Sequence, residues 1–89
     1  MEFNMDEVKE LFKAKGYKLT TQRRAILDVI VENQENHLSP EEIYNIVKIN
    51  YPEIGIATVY RTLQLLENLN IIYKLNFDDG YNRYELNLN

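Results

Sequence analysis

The sequence predicts an α+β chain in which three to four helices precede a two-stranded antiparallel β-hairpin, and three observations carry that prediction. Apolar residues recur at helical spacing in successive segments between Met5 and Leu69. After Asn70 the period falls from about 3.6 to two. Between the helical segments, Ser39-Pro40-Glu41-Glu42 spells a helix start, and Asp78-Asp79-Gly80 later spells a hairpin turn.

Met5, Val8, Leu11 and Phe12 define a first helix that ends near Lys15, with Gly16 placed where a left-handed cap would sit. Thr20 or Thr21 can cap a second helix, whose Ile26, Leu27, Val29, Ile30 and Val31 form a wide apolar face. Arg23 and Arg24 lie in its first turn. Cations there oppose the helix dipole by a few tenths of a kcal/mol, so local stability does not explain them. Phosphate contact would, although exposed arginines are also common on any surface.

The third helix has Ser39 as N-cap, Pro40 at the first helical position and Glu42 three residues on to close a capping box. Leu38 and Ile43 are spaced as a hydrophobic staple, and Ile43, Ile46 and Val47 are expected to form a narrow buried stripe. Tyr51-Pro52 stops the helix, because the residue before proline disfavours helical geometry.

The fourth helix, within Gly55–Asn70, organises the rest. Val59, Thr62, Leu63, Leu66 and Leu69 fall on one side, and Ala57, Tyr60, Arg61, Gln64 and Asn68 on the other. No carboxylate occurs between Ile54 and Leu66, although the chain carries 14 acidic residues. A helix offering donors without repelling phosphate suits the major groove of DNA. The plainer alternative is an amphipathic helix with a solvated outer face, and for Tyr60 a half-buried packing role.

In the hairpin, Tyr73, Leu75 and Phe77 alternate with Ile72, Lys74 and Asn76, and Tyr84, Leu86 and Leu88 alternate with Arg83, Glu85 and Asn87. An isolated hairpin is marginal, so its apolar face should pack on the helices. The plan is a winged helix-turn-helix: helix three supports helix four, helix four enters the groove, and the hairpin is the wing. Asp78 and Asp79 disfavour phosphate contact at the tip, which leaves Lys74 or Arg83 on the flanks.

Eighty-nine residues, 45% hydrophobic and 27% charged, make one globular domain spanning 1–89. No apolar run approaches the roughly 20 residues of a membrane span, and the acidic, polar start is neither a signal nor a transit sequence, so the chain reads as cytoplasmic. Without cysteine it has no disulfide, thiolate zinc site or thiol nucleophile. With one histidine and one serine, no nucleophile–base pair or two-histidine metal site can be assembled, and the chain is not read as an enzyme. The net charge of -4 argues against a nonspecific polyanion binder. Its distribution is more telling. Lys15, Lys18, Arg23 and Arg24 share a ten-residue window free of acids.

Gly16-Tyr17-Lys18-Leu19-Thr20, Gln22-Arg23, His37-Leu38-Ser39-Pro40-Glu41-Glu42-Ile43-Tyr44 and above all Gly55-Ile56-Ala57-Thr58-Val59-Tyr60-Arg61 resemble the ferric uptake regulator family, in order and spacing from about Val8 to Leu88. The resemblance implies a dimeric, metal-responsive bacterial repressor, of which this sequence looks like the N-terminal winged-helix half without the C-terminal dimerisation and metal domain. By that likeness Tyr60 and Arg61 contact bases and backbone, Lys18 reaches a minor groove and Arg23 holds the backbone. Together with Ala57, Thr58 and Gln64 they form the expected DNA-binding set, reading an A·T-rich palindromic operator.

His37 and Glu85 match family positions that help to bind the regulatory metal, zinc, iron or manganese. Two ligands make an incomplete site. Taken alone, His37 reads as a surface residue or a second cap element. No cofactor is therefore expected for this chain by itself. The partner is double-stranded DNA, with a homodimer expected for a full-length parent and a weakly binding monomer for the isolated chain. The rival function is a winged helix used for protein–protein contact, since fold does not fix function. If Lys18, Arg23, Tyr60 and Arg61 share one surface, DNA is favoured; glutamates intruding there favour a protein partner.

Overall fold

The computed structural model describes residues 3–76 and 80–87. Its elements follow in the expected order: α1 (Met5–Ala14), α2 (Thr21–Glu32), a short 3-10 turn (Gln34–Asn36), α3 (Pro40–Asn50), α4 (Ile56–Asn68), β1 (Ile72–Asn76) and β2 (Asn82–Leu86). Phe77, Asp78, Asp79 and Leu88, which the sequence places in the hairpin and its turn, lie outside the described residues.

Each helix begins and ends for a local reason. Asn4 caps α1 by accepting the amides of Asp6 and Glu7. Thr20, not Thr21, caps α2 through the amide of Arg23. At α3 the capping box is complete in both directions, with Ser39 Oγ accepting the Glu42 amide and Glu42 accepting the Ser39 amide. Two helices end alike. After α1, Gly16 turns left-handed at φ 81°, and the amides of Gly16 and Tyr17 close onto the carbonyls of Lys13 and Phe12. After α4, Asn70 does the same at φ 61°, with Asn70 and Ile71 bonding back to Glu67 and Leu66. Asparagine tolerates this conformation better than most side chains, which makes the abrupt change from helix to strand feasible.

The core gathers one face from each α-helix and each strand. Phe12 of α1, Ile26 and Leu27 of α2, Ile43 of α3, Ile54 before α4, Val59, Leu63 and Leu66 of α4, and Ile72 of β1 are almost wholly enclosed. The apolar side of α4 is buried as its spacing predicts. Two expectations are corrected. Ile46 is 36% exposed rather than buried, because the stripe of α3 that meets the core is limited to Ile43 and Val47.

The first strand of the wing also turns its other side inward, whereas Tyr84 and Leu86 of β2 are buried as their alternation predicts. Ile72 faces Leu86 and Lys74 faces Tyr84, while Tyr73 pairs with Glu85 and Leu75 with Arg83. Ile72 (1% exposed), Tyr84 and Leu86 therefore form the core face, and Tyr73 is 43% exposed. Both strands alternate, but only their register tells which alternate set of β1 is inside. The wing is stitched to the body by the Tyr84 amide on the Leu38 carbonyl and the Asn87 amide on the Ile71 carbonyl. Among the described residues no helix is long and apolar enough to cross a membrane.

Candidate nucleic-acid interface

The burial of Val59, Thr62, Leu63 and Leu66 leaves α4 one direction in which to present its polar residues. Ala57, Tyr60, Arg61 and Gln64 are all exposed, and Thr58 is half-buried between the two sides. Their polar groups rest on one another. Arg61 Nη2 donates to Thr58 Oγ1 at 3.2 Å, and Gln64 Nε2 to Asn68 Oδ1 at 3.0 Å. Exposed contacts of this kind are weak, so an incoming ligand can replace them at little cost.

The start of α2 lies beside this helix. Thr20, Gln22 and Arg23 join Thr58, Arg61 and Thr62 in lining an open cleft of about 310 Å³. Two arginines and three hydroxyls converge there, with no carboxylate in the lining, at a helix N-terminus whose first turn has no acid. The helix dipole and the guanidinium groups favour the same ligand, an oxyanion. Arg23 is also part of the local architecture, since its Nη1 donates to the Lys18 carbonyl at 2.7 Å. That bond folds the loop carrying the exposed Lys18 against the cleft.

Of the residues expected from sequence, Arg23, Thr58 and Arg61 meet in one cleft, and Lys18 is tethered next to it. Ala57, Tyr60 and Gln64 lie on the exposed side of α4 outside the cleft lining. Thr20, Gln22 and Thr62 were not anticipated as lining residues. Thr20 reads as a helix cap and Thr62 as a core position, and both are also true.

One acid intrudes that the sequence of α4 does not contain. Glu41, in the first turn of α3, accepts a hydrogen bond from the Tyr60 hydroxyl. This bond pushes the Tyr60 phenol above its ordinary pKa, helped by slight burial and the nearby negative charge. No local pattern could reveal the contact.

A second cluster lies at the base of the wing. His37 Nε2 and Glu85 Oε1 stand 3.7 Å apart, so the two metal-matching positions are brought together. Tyr73 Oη donates to the other oxygen of Glu85 at 2.6 Å, which raises the tyrosine pKa. His37 is partly exposed and ends the short 3-10 turn. It is left-handed, at φ 49°, and its carbonyl accepts Arg83 Nη1 at 3.1 Å. The same nitrogen meets Glu42 Oε1 at 2.9 Å.

The Ser39 amide is the chief cause that holds the Glu42 carboxyl below the usual range; slight burial opposes it, and the Ser39 hydroxyl and Arg83 add to it. Arg83 is thereby engaged in structure through one guanidinium nitrogen. Lys74 is 4.0 Å from Glu67. Among the described residues no group of three or more histidines, cysteines, aspartates and glutamates is placed to hold a metal ion. An imidazole and a carboxylate suit zinc, iron or manganese chemically, but as a pair they leave a donor set unfinished. Ser39 is occupied by the capping box.

Comparison with known proteins shows what the chain is similar to. The profile described as the ferric uptake regulator family matches residues 14–89. A ferric uptake regulation protein of Bacillus subtilis is 51% identical over 86 residues, covering 97% of this chain and 58% of that protein. In three dimensions the chain resembles PerR from Streptococcus pyogenes, a protein of peroxide sensing and gene regulation, with TM-score 0.83 and 27% identity over 90% of this chain and 54% of that one. It also resembles the Helicobacter pylori ferric uptake regulator, which has three functional metal-binding sites, with TM-score 0.81 and 32% identity over 92% and 54% of the two chains. The chain spans little more than half the length of each of these proteins.

Proposed function

This chain belongs to the ferric uptake regulator family, and from that premise we propose that it is the DNA-binding winged helix of a metal-responsive transcriptional repressor. It reads an A·T-rich palindromic operator through α4. Lys18, Arg23, Ala57, Thr58, Tyr60, Arg61 and Gln64 form the contact set. The observation that carries this reading is the acid-free cleft where Arg23 and Arg61 converge beside the start of α2, on a chain whose net charge is -4. A concentrated cationic site on an acidic body favours a chosen anion over polyanions in general.

The roles follow from chemistry. Arg23 and Arg61 clamp phosphate oxygens with the Thr20 and Thr58 hydroxyls alongside, and Lys18 enters the narrow, strongly negative minor groove of A·T-rich DNA. Tyr60 sets its ring edge against a thymine methyl. A second copy of the protein doubles these contacts on a two-fold site, and the second half-site then binds at high effective concentration. His37 and Glu85 would supply two donors, an imidazole nitrogen and a carboxylate oxygen, to a regulatory metal that needs further ligands beyond this pair.

A salt titration of variants on a selected palindromic duplex and its scrambled counterpart tests the assignment. Tyr60→Ala should lose about 1–3 kcal/mol of discrimination with little change in salt dependence. Arg23→Ala should weaken both duplexes alike and flatten the log-log salt slope by about one unit for each phosphate that the arginine neutralises. The reverse pattern would overturn the two roles.

Glu41 beside Tyr60 favours one other reading, a winged helix that contacts protein. Failure of the chain to bind any duplex at low salt would install that reading instead.

A further inference from the structure

Glu41 has an ordinary reason to exist and an extraordinary neighbour. As an acid in the first turn of α3 it complements the helix dipole. The capping box, however, is closed by Glu42, and Glu41 reaches across to α4 to accept the hydroxyl hydrogen of Tyr60, 19 positions away in sequence. Both side chains are exposed, so the bond adds little to folding stability. Its consequence lies on the surface.

A phenol has one hydrogen to donate. While Glu41 holds it, Tyr60 has no hydrogen for a phosphate oxygen, the acceptor every duplex offers regardless of sequence, and a phosphate that displaced this exposed bond would be left beside the Glu41 carboxylate, a like charge. A phenol keeps that hydrogen at neutral pH in any case, and the bond to Glu41 shifts Tyr60 further the same way. The carboxylate also repels phosphates that come within a Debye length, about 10 Å at 0.1 M salt. What remains available on Tyr60, 46% exposed, is its ring.

We propose that Glu41 is a specificity-determining residue that acts through Tyr60: it withholds the phenol hydroxyl from backbone phosphates, so that Tyr60 favours binding only where its ring meets an apolar base edge such as a thymine methyl. The inference rests on the DNA-binding reading of α4. It makes Glu41 a positioning residue that lowers general affinity and raises discrimination, the kind of repulsive element on which specificity commonly depends.

The test uses a duplex selected by the chain from a randomised pool and the same bases scrambled, with affinities compared at one fixed salt. Glu41→Ala should tighten the scrambled duplex more than the selected one, cutting their affinity ratio about fivefold, within the range of a single base contact. Glu41→Gln, which keeps an acceptor for the hydroxyl and removes the charge, should tighten both duplexes alike and preserve most of the ratio. In a Tyr60→Phe background, Glu41→Ala should change the ratio by less than about twofold, because the hydroxyl is already gone. Thermal melts of each variant confirm that folding is intact. An equal loss of ratio in both backgrounds, or an unchanged ratio in Glu41→Ala with Tyr60 present, would overturn the proposal while leaving the DNA reading in place. If the unaltered chain itself failed to separate the two duplexes, base reading by α4 would fall, and this inference with it.

Discussion

Arg61 on α4 and Arg83 on the wing look interchangeable in sequence, each an arginine beside a tyrosine in a DNA-binding plan, yet their surroundings set them to different work. Arg61 is exposed, faces a cleft without carboxylates and donates to a neighbouring hydroxyl. Arg83 keeps only 20% of its side chain exposed and joins β2 to the carbonyl of His37 and the carboxylate of Glu42. The first is displaceable by an anion; removing the second would take a donor from a carbonyl and an acid together. Arg23 stands between the two, donating to the Lys18 carbonyl while lining the same acid-free cleft as Arg61.

The contrast would break most visibly if the wing base were not structural, and the register of β1 offers the largest effect. Ile72→Ala should cost about 2–5 kcal/mol of folding stability, as deletions at enclosed sites do, whereas Leu75→Ala on the outer side should cost under about 1 kcal/mol. Denaturant melts of the two variants check this, and similar losses would mean that the wing packs by its other face.

The arginines themselves come next. Arg83→Ala should lower stability by about 1 kcal/mol, a figure reduced because Glu42 is half exposed. Arg61→Ala should stay within about 0.5 kcal/mol of the unaltered chain. A destabilising Arg61→Ala would remove the distinction between them.

A smaller effect sharpens the same comparison through pH. The folded-state carboxyl of Glu42 titrates below its ordinary value of 4.5, chiefly because it accepts the Ser39 amide. Its stabilising contribution is thus complete above that value and is lost as the pH falls through the lower folded-state pKa. Thermal midpoints should decline more steeply on acidification for the unaltered chain than for Glu42→Gln, which keeps the acceptor without the charge. Parallel profiles would show that the Arg83 corner does not depend on ionised Glu42.

The smallest expected effect is none. His37 and Glu85 form a pair without a third donor among the described residues, so melts with and without a chelator should superimpose. A shift on chelation would reveal ligands beyond this pair and give the wing base a metal-dependent role in folding.

Much of this was legible because the signals are local. Ser39, Pro40 and Glu42 lie within a single turn, Gly16 answers one backbone torsion, and the buried side of α4 follows from helical spacing alone. These are short-range rules, and the chain obeys them. The inward face of β1 was not legible, since Ile72 and Tyr73 are both apolar enough to be buried and only the pairing with β2 places Ile72 against the core. Ile46 escaped for the same reason, as helical spacing marks a stripe without giving its width.

The sequence by itself determined the order of elements, their caps and the polar side of α4, because each depends on residues a few positions apart. Only the tertiary structure decided what that polar side would meet. It placed Arg23 opposite Arg61 across one cleft, brought Glu41 to Tyr60 and His37 to Glu85, and tied Arg83 to α3. Charges and hydrogen-bond partners act through space over a few ångströms, and folding sets those distances between residues that the chain keeps far apart.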